Sequence, residues 1–287
     1  MRKIGKIRIG ATLLAAVVGC SAALGMLHAG TREASAQSTA QESLLKQVLA
    51  RGTLRVATTT VSPPFEFIDK DGQLAGFDID IAHLIAKALF NDPNKVEFVR
   101  TSFDARWDTV NSGRADFGIM NTTIYPARLL NAAFTEGYID SGNGCLVKKG
   151  SAIKNFADIN RPNVTVALLN IEPDRQRKQE FFPKAHALFL TSQAAQYEAV
   201  LSGQAEAACT DRPFLAWQVK QHPTQLAMLS GTTKGSLNNA IFLKQGDFEW
   251  WLYLDTMVHE MKHGSLYTDY NQIYEKWLGE HAPPERP

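Results

Sequence analysis

Charge of one sign is what this chain most lacks. Its 30 lysines and arginines stand against 29 aspartates and glutamates, so nothing points to a nucleic acid or an anionic membrane as partner. Cysteine is scarce too, with three in 287 residues. Cys20 falls in the N-terminal leader described below, which leaves Cys145 and Cys209. An exported protein can oxidise such a pair, and two buried free thiols fit the sequence equally well. A low-complexity linker is also missing. Segments between halves of the chain are therefore short crossings, which suggest a hinge rather than beads on a string. What remains is 45% hydrophobic and 21% charged, an ordinary folded composition with length for one large domain or two modest ones.

The first residues differ from the rest. "MRKIGKIR" is short and basic, "IGATLLAAVVGCSAALGML" is apolar and uncharged, and "HAGTREASAQ" follows. Ala34-Ser35-Ala36 fits the small-x-small rule, giving a secretory leader over 1–36 cleaved before Gln37. A retained membrane anchor is the alternative, and the glycines and the Ala-Ser-Ala site stand against it. Val17-Val18-Gly19-Cys20 resembles a lipobox, but "SAALGML" continues apolar beyond Cys20. Cleavage after Ala36 leaves 25 bases against 28 acids, a net charge of −3.

Beyond the leader, strand and helix patterns alternate. "TLRVATT" reads as a strand, "FEFIDKDGQLAGF" as a hairpin turned at Asp71-Gly72, and "FDIDIAHLIAKALF" as a helix. In that helix Ile81, Leu84, Ile85, Ala88 and Leu89 share one face, and Asp78 or Asp80 is expected to cap it. The alternation resumes after residue 150 with "NVTVALL", "EPDRQRKQEFF", "HALFL", "SQAAQYEAVLSG" and "AEAACT". Two such runs imply an α/β protein of two lobes, each a mainly parallel sheet flanked by helices. Ligands of open parallel sheets sit beyond the C-terminal strand ends, which directs attention to the residues just after each strand.

Two of those places carry chemistry. "MNTTIYPAR" puts Thr122 and Thr123 in a loop, with Pro126 suited to the first turn of a helix. Hydroxyls, free backbone N–H groups and the Arg128 guanidinium there make an anion site, and arginine grips a carboxylate with two parallel hydrogen bonds. Arg128 as a plain surface residue fits the spacing equally well. Asp211 ends a strand before Arg212-Pro213. It can cap the next helix, or it can answer a ligand ammonium. On the second reading Arg128 and Asp211 clasp a zwitterion between two lobes.

"RGTLRVATTTVSPPFEFIDKDGQLAGFDIDIAHLIAKAL" resembles the opening of the periplasmic solute-binding proteins (family 3) of polar-amino-acid ABC importers. "VNSGRADFGIMNTTIYPAR", "KNFADI", "EAVLSGQAEAACTD" and "IYEKWLG" match that family in order, over about residues 45–279. The resemblance implies the two-lobed, type II periplasmic-binding-protein fold with two crossing strands as hinge. Lobe 1 is then 37–140 with 240–287, and lobe 2 is 141–239. It implies that Arg128, with Thr123 and the backbone around Asn121, holds the ligand α-carboxylate, and that Asp211 takes the α-ammonium. Phe103 falls where an aromatic packs on the ligand, Arg106 where binders of acidic amino acids place an arginine, and Gln193 near a side-chain contact. Asn170 falls at the opening of the second-lobe helix and is expected to cap it and donate. The family's Gly-Thr or Gly-Ser pair at that helix is replaced by "LLNIEPD", which brings Glu172 close, and Thr59 sits where acidic-amino-acid binders often carry another arginine. The implied protein is a periplasmic monomer with no cofactor, metal or catalytic residue, partnered by an amino acid and by the membrane permease of an ABC importer.

Three rivals stand beside this reading. "HEMKH" places His259 and His263 four apart on a helix with Glu260 between them, the spacing of a zinc peptidase, but the pattern needs a third ligand and a cleft. Cyclohexadienyl dehydratases share the implied fold. Glu172 or Asp174 would then be the pocket acid with a raised pKa, and "INRPNVTVALLN" is faintly like their second-lobe strand. The third rival is a sensory module that presents its closed form to a receptor.

Overall fold

The computed structural model describes residues 42–231 and 237–283. The expected leader over 1–36, with Cys20 and the cleavage site, lies outside the described residues. Among the described residues no helix is long and apolar enough to cross a membrane.

The first lobe begins with helix α1 (Leu44–Arg51), strand β1 (Leu54–Thr58), and a small antiparallel sheet of β2 (Val61–Ser62), β3 (Glu66–Ile68) and β4 (Leu74–Ala75). Helix α2 (Phe77–Phe90) follows, with Ile81, Leu84 and Ile85 buried on the expected face. Its N-cap is Gly76, so neither Asp78 nor Asp80 caps it. Gly76 has φ 139°, and a Cβ there would lie 2.1 Å from the Phe65 carbonyl oxygen, so only glycine fits. The two aspartates sit in the first turn, where they favour the positive end of the helix dipole, and are used elsewhere. Asp80 accepts from Lys276 Nζ and Trp277 Nε1, both at 2.7 Å, while buried Asp78 accepts from the Asn121 backbone N–H. Strand β5 (Val96–Arg100), helix α3 (Arg106–Asn111), strand β6 (Phe117–Gly118) and strand β7 (Ala133–Asp140) complete this stretch.

The second lobe comprises β8 (Asn143–Lys148), α4 (Phe156–Ile159), β9 (Thr165–Leu169), α5 (Glu172–Phe181), β10 (His186–Leu190), α6 (Gln193–Ser202), β11 (Ala207–Asp211), α7 (Arg212–Gln221) and β12 (Leu226–Met228). The chain then returns to the first lobe through β13 (Asn238–Leu243), α8 (Phe248–His263) and α9 (Tyr267–Leu278). The first lobe packs around Phe77, which is stacked with Tyr138 and meets Phe65, Tyr270 and Tyr274 edge-on. These are favourable aromatic geometries, and they tie the C-terminal helices to α2.

The two sheets are built alike. In the order β5-β1-β6-β13-β7, the first three strands are parallel, and β13 is antiparallel to both β6 and β7. In the order β10-β9-β11-β8-β12, the first three are parallel, and β8 is antiparallel to both β11 and β12. Each sheet therefore has one reversed strand, and in each it is the strand that arrives from the other lobe. Strand β7 crosses into β8 through Ser141 and Gly142, and the return arrives as β13. The crossings are bonded together, with Ser141 N–H donating to Leu237 O at 3.1 Å and Asn238 pairing with Asp140. The outgoing crossing is only Ser141 and Gly142 long, as a hinge requires.

Cys145 and Cys209 are joined by a disulfide. They face each other in register on β8 and β11, their Cα atoms 4.1 Å apart. The bond pins an incoming hinge strand to the strand that ends at Asp211. It closes a loop of 64 residues, so replacing both cysteines by serine should cost about 2–4 kcal/mol in urea denaturation. A midpoint indifferent to both reductant and this substitution would show that the thiols are free.

Candidate ligand-binding site

The lobe 1 wall is built on the segment after β6. Asn121 adopts φ 44°, a left-handed conformation that asparagine tolerates better than most residues. Its N–H donates to Asp78 Oδ2 at 2.8 Å. Thr123 pairs with Asn239 as an isolated bridge. Pro126 opens not an α-helix but a five-residue 3₁₀ turn, Pro126–Leu130. The tight turn brings Arg128 back over its own loop, where Nη1 donates to Thr123 O at 2.7 Å and the guanidinium lies 4.9 Å from the Tyr125 ring. Arg106 opens α3. It bonds Phe103 O and stacks 4.2 Å from the Trp107 ring, while its Nε has no partner among the described residues. Burial and the positive charge of Arg128 lower Arg106 to about 9. A guanidinium remains protonated at neutral pH, so the shift records how poorly two neighbouring cations are solvated there.

The lobe 2 wall carries the opposite charge. Asp211 occupies the N-cap position of α7, with Pro213 in the first turn, yet its side chain makes no capping bond. Its carboxylate accepts from Ser141 Oγ at 2.5 Å and from Gln193 Nε2 at 2.9 Å, and burial holds its pKa above the usual carboxylate range. Gln193 also reaches Thr210 Oγ1 at 3.2 Å. Asp174, on the first turn of α5, accepts from Leu169 N at 2.7 Å and from Arg177 Nη1 at 2.6 Å. Burial raises it to about 6. Arg177 extends to Asn143, whose amide, oriented from the hydrogen-bond network, accepts from Arg177 Nε at 2.8 Å and donates to Thr210 O. Across the cleft, Arg177 Nη2 donates to the Tyr125 hydroxyl at 3.4 Å.

These walls enclose one cavity of about 410 Å³, and Phe103, Arg106, Asn121, Thr123, Arg128, Asn170, Gln193 and Asp211 all line it. Asn170 does not cap α5. Its Oδ1 is taken by Arg175, and the N-cap is Ile171. Glu172 is turned away, bonded to Gln176 on the surface, and does not line the cavity. Sequence reasoning missed Tyr125, Trp107, Arg177 and Asn239. Nothing in "EPDRQRKQ" separates inward Arg177 from outward Arg175, and Asn239 is the second of two adjacent asparagines. Yet Asn239 is fully buried at the crossing. Its Oδ1 accepts from Thr123 Oγ1 at 2.9 Å, and its Nδ2 donates to Asn121 Oδ1 and to Ser141 Oγ, the latter at 3.3 Å. A chain of side-chain hydrogen bonds thus runs from Thr123 and Asn121 through Asn239 and Ser141 to Asp211 and Gln193.

The zinc-peptidase arrangement is not formed. Glu260 Oε2 caps the end of α8, accepting from Ser265 N and Oγ at 2.8 Å, and neither His259 nor His263 lines the cavity between the lobes. The model of the bacterial extracellular solute-binding proteins, family 3, matches residues 54–280. The chain belongs to that family. Among its relatives, the L-cystine-binding protein of Escherichia coli (strain K12) is 30% identical over 250 residues, covering 85% of this chain and 90% of that protein. A cyclohexadienyl dehydratase of Pseudomonas aeruginosa is 26% identical over 247 residues, with 85% and 90% covered. Of solved structures, an ancestral amino acid-binding protein, a precursor of cyclohexadienyl dehydratase, is 35% identical with a TM-score of 0.71, over 82% of this chain and all of that one. These neighbours identify the solute-binding fold as the type II, two-lobed form.

Beneath the lobe 1 wall of this family-3 protein lie two buried acids. Glu66 and Asp78 are fully buried and face one another, with the Ser62 hydroxyl beside Glu66 and the Tyr138 hydroxyl beside Asp78. Burial and the neighbouring Asp78 carboxyl hold Glu66 well above the carboxylate range, and burial also raises Asp78. The pair therefore keeps a proton that the unfolded chain would release, so stability falls as pH rises through the interval between unfolded and folded pKa values. Glu66→Gln supplies a permanent N–H in place of that proton. Its stability relative to the parent should rise as pH increases from about 5 in paired urea denaturations, and a difference that stays constant with pH would show that the pair holds no such proton.

Proposed function

We propose that this protein is the extracytoplasmic substrate-binding component of an ABC importer, and that it captures a small polar amino acid, acidic or amide in its side chain, between two closing lobes. The leader over 1–36 exports it to the periplasm. Residues 37–140 and 240–287 form one lobe and residues 141–239 the other, and the closed form docks on a membrane permease. The observation that carries the reading is the placement of Arg128 and Asp211 on opposite walls of one cavity.

A zwitterion answers both. Its α-carboxylate meets the free donors of Arg128 and its α-ammonium meets Asp211. Arg177 is already paired with Asp174, whereas Arg106 makes no direct ion pair among the described residues and has only the nearby charge of Asp104 to oppose it. A ligand side chain bearing a carboxylate or an amide oxygen satisfies it. A micromolar ligand requires about −8 kcal/mol, and a few charge-assisted hydrogen bonds of roughly 1.5–3 kcal/mol each suffice. The ligand closes the lobes because only the closed form contacts it from both sides. Hinge closure of this kind is general to periplasmic binding proteins.

A second reading rests on Asp174, raised to about 6 by burial at the cavity wall. Such a group could serve as the general acid of a cyclohexadienyl dehydratase. It is, however, already held by Leu169 N–H and Arg177, and incubation with prephenate tests it directly. No phenylpyruvate absorbance is expected, and its appearance at a steady rate that Asp174→Asn abolishes would establish the enzyme.

A thermal-shift screen of the twenty amino acids tests the binding function. A ligand at 100 times its dissociation constant should add about 2.7 kcal/mol of stability. Arg128→Ala should abolish the shift for every ligand, and Arg106→Ala should change which ligand wins. An unaltered ranking in Arg106→Ala would remove the preference for an acidic or amide side chain.

A further inference from the structure

The two histidines of "HEMKH" acquire in the fold the third donor that the sequence does not supply. His259 and His263 stand on successive turns of α8, their ring centroids 5.1 Å apart. Strand β7 passes beside them and presents Glu136, whose Oε1 lies 3.5 Å from His259 Nδ1. One ligand atom from each of the three residues falls within 4.8 Å of the other two. We propose that Glu136, His259 and His263 bind a borderline divalent transition-metal ion, of the zinc, nickel and copper class, on the outer side of the first lobe, away from the amino-acid cavity.

The donor set selects the ion. Two imidazole nitrogens and one carboxylate oxygen suit zinc, nickel and copper, whereas magnesium and calcium take all-oxygen shells. Tetrahedral zinc with bonds of about 2.0–2.1 Å holds neighbouring donors about 3.3 Å apart. The Glu136–His259 separation is already near that value, and rotation of the half-exposed His263 ring closes the rest. Glu136 Oε1 is itself informative. It is shielded from solvent and accepts no hydrogen bond among the described residues, so a carboxylate oxygen faces the imidazoles unsatisfied. The other oxygen is used separately, accepting from Lys262 Nζ at 3.1 Å. An ion on Oε1 therefore leaves that pair intact.

The surroundings fix the donors in place. Glu136 N–H donates to Asp255 Oδ1 at 2.6 Å, and Asp255 is one turn before His259 on the same helix, so strand and helix are already clamped at this point. The site lies at the C-terminal end of α8, where the helix dipole favours a cation. The Lys262 ammonium opposes it, and the exposure of His259 leaves open coordination positions for water. The site is thus a moderate-affinity clip between α8 and the strand that runs on into the hinge. Glu260, turned away to Ser265, leaves it without the general base of a peptidase.

Titration of the mature chain with zinc chloride in a non-chelating buffer, followed calorimetrically, tests the proposal. One zinc per chain is expected. His263→Ala and Glu136→Gln should each weaken binding about tenfold or more. His281→Ala, which alters a separate His–Glu pair on α9 and the tail, should leave it unchanged. An unchanged melting temperature without metal confirms that each variant is folded. Absence of saturable binding, or zinc affinity equal in the parent and His263→Ala, overturns the site. Loss of binding in His281→Ala alone would place the ion elsewhere and overturn it as well.

Discussion

A buried carboxylate whose direct hydrogen-bond donors are neutral, with the Arg177 guanidinium as the nearby opposing charge, governs the cleft. Asp211 ends β11 with a serine hydroxyl and a glutamine amide as its hydrogen-bond donors, and a charge so placed is costly unless it gains a partner. Capping α7 was available to it and is not used. The partner that would complete its solvation is a cation arriving from the cavity. The same carboxylate also anchors Ser141, the first residue of the crossing from lobe 1. The carboxylate lining the cavity thus also helps to hold the hinge.

The lobe 1 wall has the opposite shortage. Arg106 and Arg128 are two half-buried cations close enough to disfavour one another. On the proposed function, a single zwitterion relieves both walls at once, and it does so only when they are close together. On that reading, the difference between open and closed contacts is the free energy that drives closure. The relay through Asn239 makes the two walls interdependent. Asn121 and Thr123 on one side and Ser141 and Asp211 on the other share the amide of a single buried side chain, which lies where the crossings pair. The polar network is thus continuous through the pivot, the place where a hinge must keep its geometry while the lobes move about it.

Much of this was legible in the chain because it is written in periodicity. The alternation of five-residue apolar runs with helical patterns gave two α/β lobes, and the strand ends gave the residues that line the cavity. Residues whose role depends on which way a side chain turns were not legible. Arg175 and Arg177 are two residues apart on one polar helix, and only tertiary packing sends one to Phe189 and the other to Asp174. Asp78 and Asp80 looked like helix caps because acids favour a first turn. The close approach of Gly76 to the Phe65 carbonyl moved the helix start upstream of both. The cysteine pairing could not be read either, since register between β8 and β11 is a property of the sheet. Asn170 and Glu172 shared that limit, as Asn170, just ahead of α5, meets Arg175 and Glu172 meets Gln176, each in preference to the role its position suggested.

The buried acids beneath Asn121 show why stability alone does not explain the first lobe. Two carboxyls placed side by side in an apolar core cannot both ionise without large cost, and apolar residues of similar size would pack there at lower free energy. What the arrangement provides is a fixed acceptor for the Asn121 N–H, at a residue whose left-handed backbone is itself less favourable than an extended one. With that N–H held by Asp78, the Asn121 carboxamide is directed to Asn239, and the loop that carries Thr123 and Arg128 leaves the sheet in one direction. The orientation of the guanidinium over the cavity is therefore set by a pair of acids below the cavity floor. On the proposed function, the free energy lost in burying them is exchanged for a wall already oriented toward the ligand, which is where preorganisation gains affinity.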